Sequence, residues 1–225
     1  MLHDFISLIY PKICMACGNS LFKNEDCICT YCLYHLPKTG FHFESENPVS
    51  KIFWGRADIF SAAAYYYFNK GGRVQSLLHH LKYKGQKEVG TVIGKLYGKE
   101  LLKAPLFSTI EIIIPVPLHP KKKKKRGFNQ SDYFAEGLSQ GMTVEWNPDI
   151  LLRTVASESQ TKKSRFMRWQ NVASIFQVKN RDHIAGKHIL LVDDVVTTGS
   201  TLEASAQNLL EIPGTKVSIV AIACA

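Results

Sequence analysis

Two rhythms of apolar residues run along this chain. Val74, Leu77, Leu78 and Leu81 recur at i, i+3, i+4 and i+7, the spacing of one helix face. Short runs rich in β-branched and aromatic residues fall instead at 59–68, 111–116, 150–154, 187–193 and 216–224, and several are bounded by turn residues. Further helices are predicted over 88–102, from Gln130 to about Gln140, and over 200–211. Strands alternating with helices of this length require crossovers, so the pattern predicts an α/β fold with a twisted, mainly parallel sheet. Within 88–102, Gly90, Gly94 and Gly98 stand at four-residue intervals. Glycine costs helix propensity, so three on one face predict close packing against another element. A P-loop is excluded there, because the glycine spacing is one residue short and Leu96 stands where a magnesium-binding hydroxyl belongs.

The N-terminal region carries a different pattern. Leu2, Phe5, Ile6 and Ile9 predict a short amphipathic helix, and five of the six cysteines follow between Cys14 and Cys32. Cys14-Met15-Ala16-Cys17 and Cys29-Thr30-Tyr31-Cys32 are two C-x-x-C knuckles, which suit the tetrahedral preference of Zn2+. The predicted ligands are Cys14, Cys17, Cys29 and Cys32, with Cys27 a bystander thiol. Four sulfurs leave no open coordination position, so the zinc is expected to be structural. Disulfides are the competing reading, disfavoured by the odd local count in a chain read as cytoplasmic. The organisation expected is an N-terminal helix and zinc-ribbon-like module over 1–40, an irregular linker over 41–57 and the α/β domain over 58–225.

Composition narrows the class. With 225 residues, 45% of them hydrophobic and 21% charged, the chain falls outside the range of disordered proteins. No apolar run approaches the ~18 residues that span a bilayer, and the N-terminus lacks the basic stretch of a signal peptide. A soluble cytoplasmic protein is therefore expected. The 28 Lys and Arg against 19 Asp and Glu give a net charge of +9, which favours polyanionic partners. Six cations are consecutive: Lys121-Lys122-Lys123-Lys124-Lys125-Arg126, beside Phe128. A second stretch mixes Lys162, Lys163, Arg165 and Arg168 with Phe166 and Trp169. Charge that tracks a backbone beside rings that stack on bases suits single-stranded DNA; the alternative is a solvated charge run with its rings buried.

The most specific stretch runs from Ile189 to Leu202. An apolar strand ends in Asp193 and Asp194, and Val195-Val196-Thr197-Thr198-Gly199-Ser200-Thr201 then opens a helix. Backbone N–H groups at a helix N-terminus, helped by hydroxyls and a glycine, favour a monoester phosphate. The paired carboxylates suit ribose hydroxyls or a Mg2+ ion, so a sugar phosphate satisfies both halves. The alternative is a hydroxyl-capped helix beside solvated aspartates.

The stretch Val-Asp-Asp-Val-Val-Thr-Thr-Gly-Ser-Thr at 192–201 resembles the phosphoribosyl-pyrophosphate motif of type I phosphoribosyltransferases. Together with the two cysteine knuckles, Leu81-Lys82-Tyr83-Lys84-Gly85, Pro115-Val116-Pro117-Leu118, Arg126-Gly127-Phe128-Asn129-Gln130-Ser131, and Arg153, Gln160, Arg168, Asn171 and Phe176, it resembles the ComF family over nearly the whole chain. The resemblance implies a type I phosphoribosyltransferase-like core, binding of phosphoribosyl pyrophosphate with Mg2+, and a role in DNA uptake and natural transformation. It also implies contact with DNA-uptake proteins at the inner membrane face. Asp193 and Asp194 would meet the ribose hydroxyls and Mg2+, and the loop at 196–201 the 5-phosphate.

An active phosphoribosyltransferase acting on a nucleobase or related amine is the alternative function, and a scaffold with a vestigial pocket is a third. No Asp or Glu is marked as a general base, and His119 beside Pro120 reads as a loop residue. No catalytic residue is assigned.

Overall fold

The computed structural model describes residues 11–154 and 175–225. The expected helix on Leu2, Phe5, Ile6 and Ile9 and the basic-aromatic stretch at 162–169 lie outside the described residues. In chain order the elements are α1 (Thr30–His35), α2 (Pro48–Lys51), β1 (Ser61–Tyr67), α3 (Arg73–Tyr83), α4 (Glu88–Leu101), β2 (Ile112–Pro115), α5 (Pro120–Arg126) and α6 (Gln130–Met142). Then come β3 (Glu145–Trp146), β4 (Leu151–Arg153), β5 (Phe176–Val178), α7 (Arg181–Ile184), β6 (His188–Val196), α8 (Ser200–Leu210) and β7 (Lys216–Cys224).

Five strands form one sheet in the order β1-β7-β6-β2-β3, every neighbouring pair parallel. This is the α/β architecture that the alternating pattern predicts. The central strands β6 and β7 are apolar along most of their length because helices cover both faces of the sheet. All carboxyl ends lie at one edge, the position where open parallel sheets place their ligands. The run at 150–154, expected as another strand of this sheet, instead pairs antiparallel with β5 in a separate two-stranded ribbon. The edge strand β3 had no legible signal, being two residues long.

The glycines do what their spacing predicts. Gly94 and Gly98 of α4 face Gly137 and Gly141 of α6 so closely that a Cβ on Gly94 would lie 2.8 Å from the Leu138 nitrogen, and one on Gly141 would lie 2.6 Å from the Lys95 oxygen. Backbone meets backbone across this seam.

Residues 41–57 are more ordered than their sequence suggests. Asn47 caps α2 in a reciprocal capping box with Ser50. Its amide also donates to the Ala62 carbonyl of β1 at 2.8 Å, and Phe41, Val49 and Phe53 are buried in the core. Among the described residues no helix is long and apolar enough to cross a membrane.

Candidate functional site

The two cysteine knuckles converge. The Sγ atoms of Cys14, Cys17, Cys29 and Cys32 all lie within 4.8 Å of one another, and Cys17 and Cys29 are 3.8 Å apart. Tetrahedral Zn–S bonds of ~2.3 Å place sulfurs about 3.8 Å apart, so this soft donor set fits a closed zinc site. Local backbone builds it: Gly18, at φ +80°, donates to the Cys14 carbonyl, and Cys29 is the N-cap of α1, its sulfur accepting from the Cys32 amide. Burial opposes ionisation of Cys14, yet the amides of Cys29, Cys17 and Ala16 prevail and bring its thiol down to about 7. Cys27 lies outside the cluster. Burial, then Asp26 and Glu88, push its thiol up to about 12, which keeps it a protonated apolar side chain.

At the carboxyl edge of the sheet, β6 ends at Val196 and α8 starts at Ser200, with three residues between them. No side chain caps this helix start, where Gly199 sits at φ +72°. The side chains of Thr197, Thr198, Ser200 and Thr201 are exposed, and the Thr198 and Ser200 hydroxyls lie 3.1 Å apart. Val195 and Val196 are strand residues, Val196 buried, and neither offers a polar side chain.

Gly199 has a role its sequence position did not show. The space where its Cβ would stand faces protein: Ile52 Cγ2 at 2.6 Å and the Phe53 ring at 3.1 Å. The 41–57 segment thus supports the loop from behind. Arg56 completes this support, donating to the Thr198 carbonyl at 2.9 Å and to the Ile52 carbonyl at 3.0 Å, and pairing with Glu203 of α8.

Asp193 and Asp194 are adjacent on a strand, so their side chains leave opposite faces. Asp193 accepts from the Ser131 hydroxyl of α6 at 2.9 Å and from the Asp194 amide at 2.8 Å. Burial, and then repulsion by Asp194, raise its carboxyl to about 7 against the help of these donors and of Lys82. The Asp194 carboxylate is 3.1 Å from the Lys82 ammonium of α3. The two carboxylates are therefore not a matched pair of free acceptors: each has its own partner from a different helix. Lys82 belongs to the Leu81–Gly85 stretch, and no local spacing announced this contact.

The lysine run is a helix. His119 Nδ1 accepts from the Lys121 amide at its start, and Gly127 at φ +83° ends it. Winding divides the run. Lys122, Lys125 and Arg126 line a pocket of about 390 Å³ together with Lys82, Tyr83, Gly85 and Phe128. Lys123 and Lys124 line another, of about 420 Å³, that includes Asp132, Asp149 and Arg153, while Lys121 is exposed. Arg126 bonds Gln130 and lies 5.4 Å over the Tyr83 ring. Phe128, read as a stacking platform, is buried and packs edge-on against Tyr133. The accessible ring beside the cations is Tyr83, 67% exposed.

Residues 129–225 match the phosphoribosyl transferase domain family. The DNA utilization protein YhgH of Escherichia coli (strain K12) is 30% identical over 209 residues, covering 91% of this chain and 87% of that protein. Competence protein F of Haemophilus influenzae is 31% identical over 151 residues, 65% of this chain and 66% of that one. Competence protein ComFC of Bacillus subtilis is 37% identical over 100 residues, 44% and 38% of the two chains. Among solved structures, adenine phosphoribosyltransferase from Leishmania tarentolae is similar at 16% identity and TM-score 0.39, over 83% of this chain and 80% of that one.

Proposed function

This chain belongs to the family of the DNA utilization protein YhgH and competence proteins F and ComFC, and from that premise we propose that it is a DNA-handling protein that binds phosphoribosyl pyrophosphate and single-stranded DNA. The observation that carries the reading is the unit β6, loop, α8: an uncapped helix start with four exposed hydroxyl side chains beside it, at the carboxyl edge of a parallel sheet. The 5-phosphate accepts from the loop amides and hydroxyls. Asp193 and Asp194 are the carboxylates that would hold the ribose hydroxyls and Mg2+, which would offset the charge of the diphosphate. Zn2+ on the four cysteines holds the N-terminal module together.

The helix α5 supports the nucleic-acid half of the proposal. Lysines three and four residues apart repel one another, so a helix made of them gains from an anionic partner. With Tyr83 exposed beside them, Lys122, Lys125 and Arg126 combine charge with a ring, as single-strand sites do. The relatives' names, DNA utilization and competence, support a role in DNA uptake, and the proposal puts that work in the cytoplasm, at the inner face of the membrane.

Calorimetry with phosphoribosyl pyrophosphate and Mg2+ tests the first half: a saturable heat, lost in Gly199→Val, is expected, and no heat from the wild-type chain overturns it. Anisotropy with a labelled oligonucleotide tests the second. Affinity is expected to fall steeply with salt, and Lys122→Gln with Lys125→Gln to flatten that slope; salt-independent affinity overturns it.

A further inference from the structure

Lys82 stands in two places at once. Its ammonium is 3.1 Å from Asp194, three residues before Thr197 and the phosphate loop, and its side chain also walls the pocket formed by Lys122, Lys125 and Arg126 on α5. The end of β6 that leads into the loop and the pocket on the lysine helix therefore share one side chain. A ligand seated on the loop that extends past Asp194 reaches Lys82, which is also part of the pocket wall shared with the α5 cations.

The charge and size of the pocket limit what it holds. Four cations line about 390 Å³, near the lower end of the ~300–1,000 Å³ usual for small-molecule sites, and one of them, Lys82, already has Asp194 as a counter-ion. A diphosphate carries enough negative charge to neutralise them. A second polyanion in the same space would meet like charge at close range with no cation left to offset it. The phosphodiester backbone of a single strand seeks the same ammonium and guanidinium groups, with Tyr83 placed to stack a base.

We infer that the diphosphate end of an activated pentose and the backbone of single-stranded DNA are alternative occupants of the pocket walled by Lys82, Lys122, Lys125 and Arg126, so that each displaces the other. The inference rests on the proposal that both ligands bind. Lys123 and Lys124, on the other side of α5, face a different pocket that contains two carboxylates, Asp132 and Asp149, and are not part of the shared site.

The test uses the full chain with its zinc. Each ligand is first titrated alone, calorimetry for phosphoribosyl pyrophosphate with Mg2+ and anisotropy for a fluorescent oligo-dT. The strand is then titrated with phosphoribosyl pyrophosphate held at about 100 times its own Kd, against a sodium chloride control of equal ionic strength. Exclusive occupancy raises the apparent Kd of the strand about 100-fold over that control, and Lys82→Met or Lys125→Gln weakens both ligands, whereas Lys103→Met, elsewhere on the surface, weakens neither. If both ligands bind alone yet the strand Kd matches the salt control, the inference is overturned and the functional proposal stands. If either ligand fails to bind alone, the functional proposal falls and this inference with it.

Discussion

The Lys82 ammonium and the Asp194 carboxylate form an ion pair at 3.1 Å in which the side chains are 22% and 9% exposed. It ties the C-terminal turn of α3 to the last third of β6. Removing one partner of a buried pair costs more than the pair contributes, because a desolvated charge is left behind. Partial exposure of Lys82 reduces that cost, and Lys82→Met is expected to lose roughly 1–3 kcal/mol of unfolding free energy. Adding Asp194→Asn is expected to recover most of the loss, since it removes the stranded charge. Urea unfolding of the four members of this double-mutant cycle measures it; additive losses would mean the two groups do not interact.

The loop between β6 and α8 depends on Gly199 for two separable reasons. Its φ of +72° disfavours any side chain, and an added Cβ would lie 2.6 Å from Ile52 Cγ2. The left-handed backbone costs about 1–2 kcal/mol and overpacking about 1–3 kcal/mol more. Gly199→Ala is therefore expected to destabilise by a few kcal/mol, and Ile52→Ala in the same chain to return only the steric part. Thermal unfolding of the single and double variants checks this, and full recovery in the double variant would show that the backbone conformation carries no penalty.

Zinc content discriminates among the N-terminal cysteines. Cys29 lies within the cluster of four sulfurs, whereas Cys27 is buried outside it with its thiol held protonated near 12. Metal analysis of purified protein is expected to find Cys29→Ser far below one zinc per chain and Cys27→Ser near the wild-type value. The reverse order would mean that Cys27 is the fourth ligand.

What the sequence made legible was local. The knuckles at Cys14/Cys17 and Cys29/Cys32, the glycine row at Gly90, Gly94 and Gly98, and the passage from β6 through the loop into α8 each depend on short spacings, and each forms where it was expected. Contacts between distant segments were not legible. Arg56 reaches the Thr198 carbonyl across 142 residues of sequence, and nothing in 41–57, with its Pro48 and polar residues, marks it as the support of the loop. The pairing of Lys82 with Asp194 was hidden in the same way. Phe128 and the lysine run were misleading for a different reason: composition reports charge and rings, but only helical winding decides which lysines share a pocket and which ring is buried.

The end of the sheet opposite the loop carries a pH-sensitive chain of hydrogen bonds. His188 is buried at the start of β6, its Nδ1 2.7 Å from the Thr109 hydroxyl and its Nε2 2.8 Å from the Ser218 hydroxyl, which in turn meets Ser61 at 2.7 Å. Phe60 packs edge-on against the ring, with Lys216 above Phe60, and Glu111 accepts from the His188 amide. Burial, followed by the charge of Lys216, pushes the imidazole from its ordinary 6.5 down to about 4, against the opposing pull of Glu111 and Thr109. The histidine is therefore neutral in the fold, and between pH 6.5 and 4 the unfolded chain binds a proton that the native chain does not. Stability from this group is fully present above pH 6.5 and is lost as pH falls through that window, by roughly 3 kcal/mol in all. His188→Gln retains a donor and an acceptor but does not titrate. Urea unfolding at pH 7, 6 and 5 is expected to show the wild type losing more stability than His188→Gln, because titrations common to both cancel in the difference. A difference that stays constant over this range would mean that His188 is not held neutral by its surroundings.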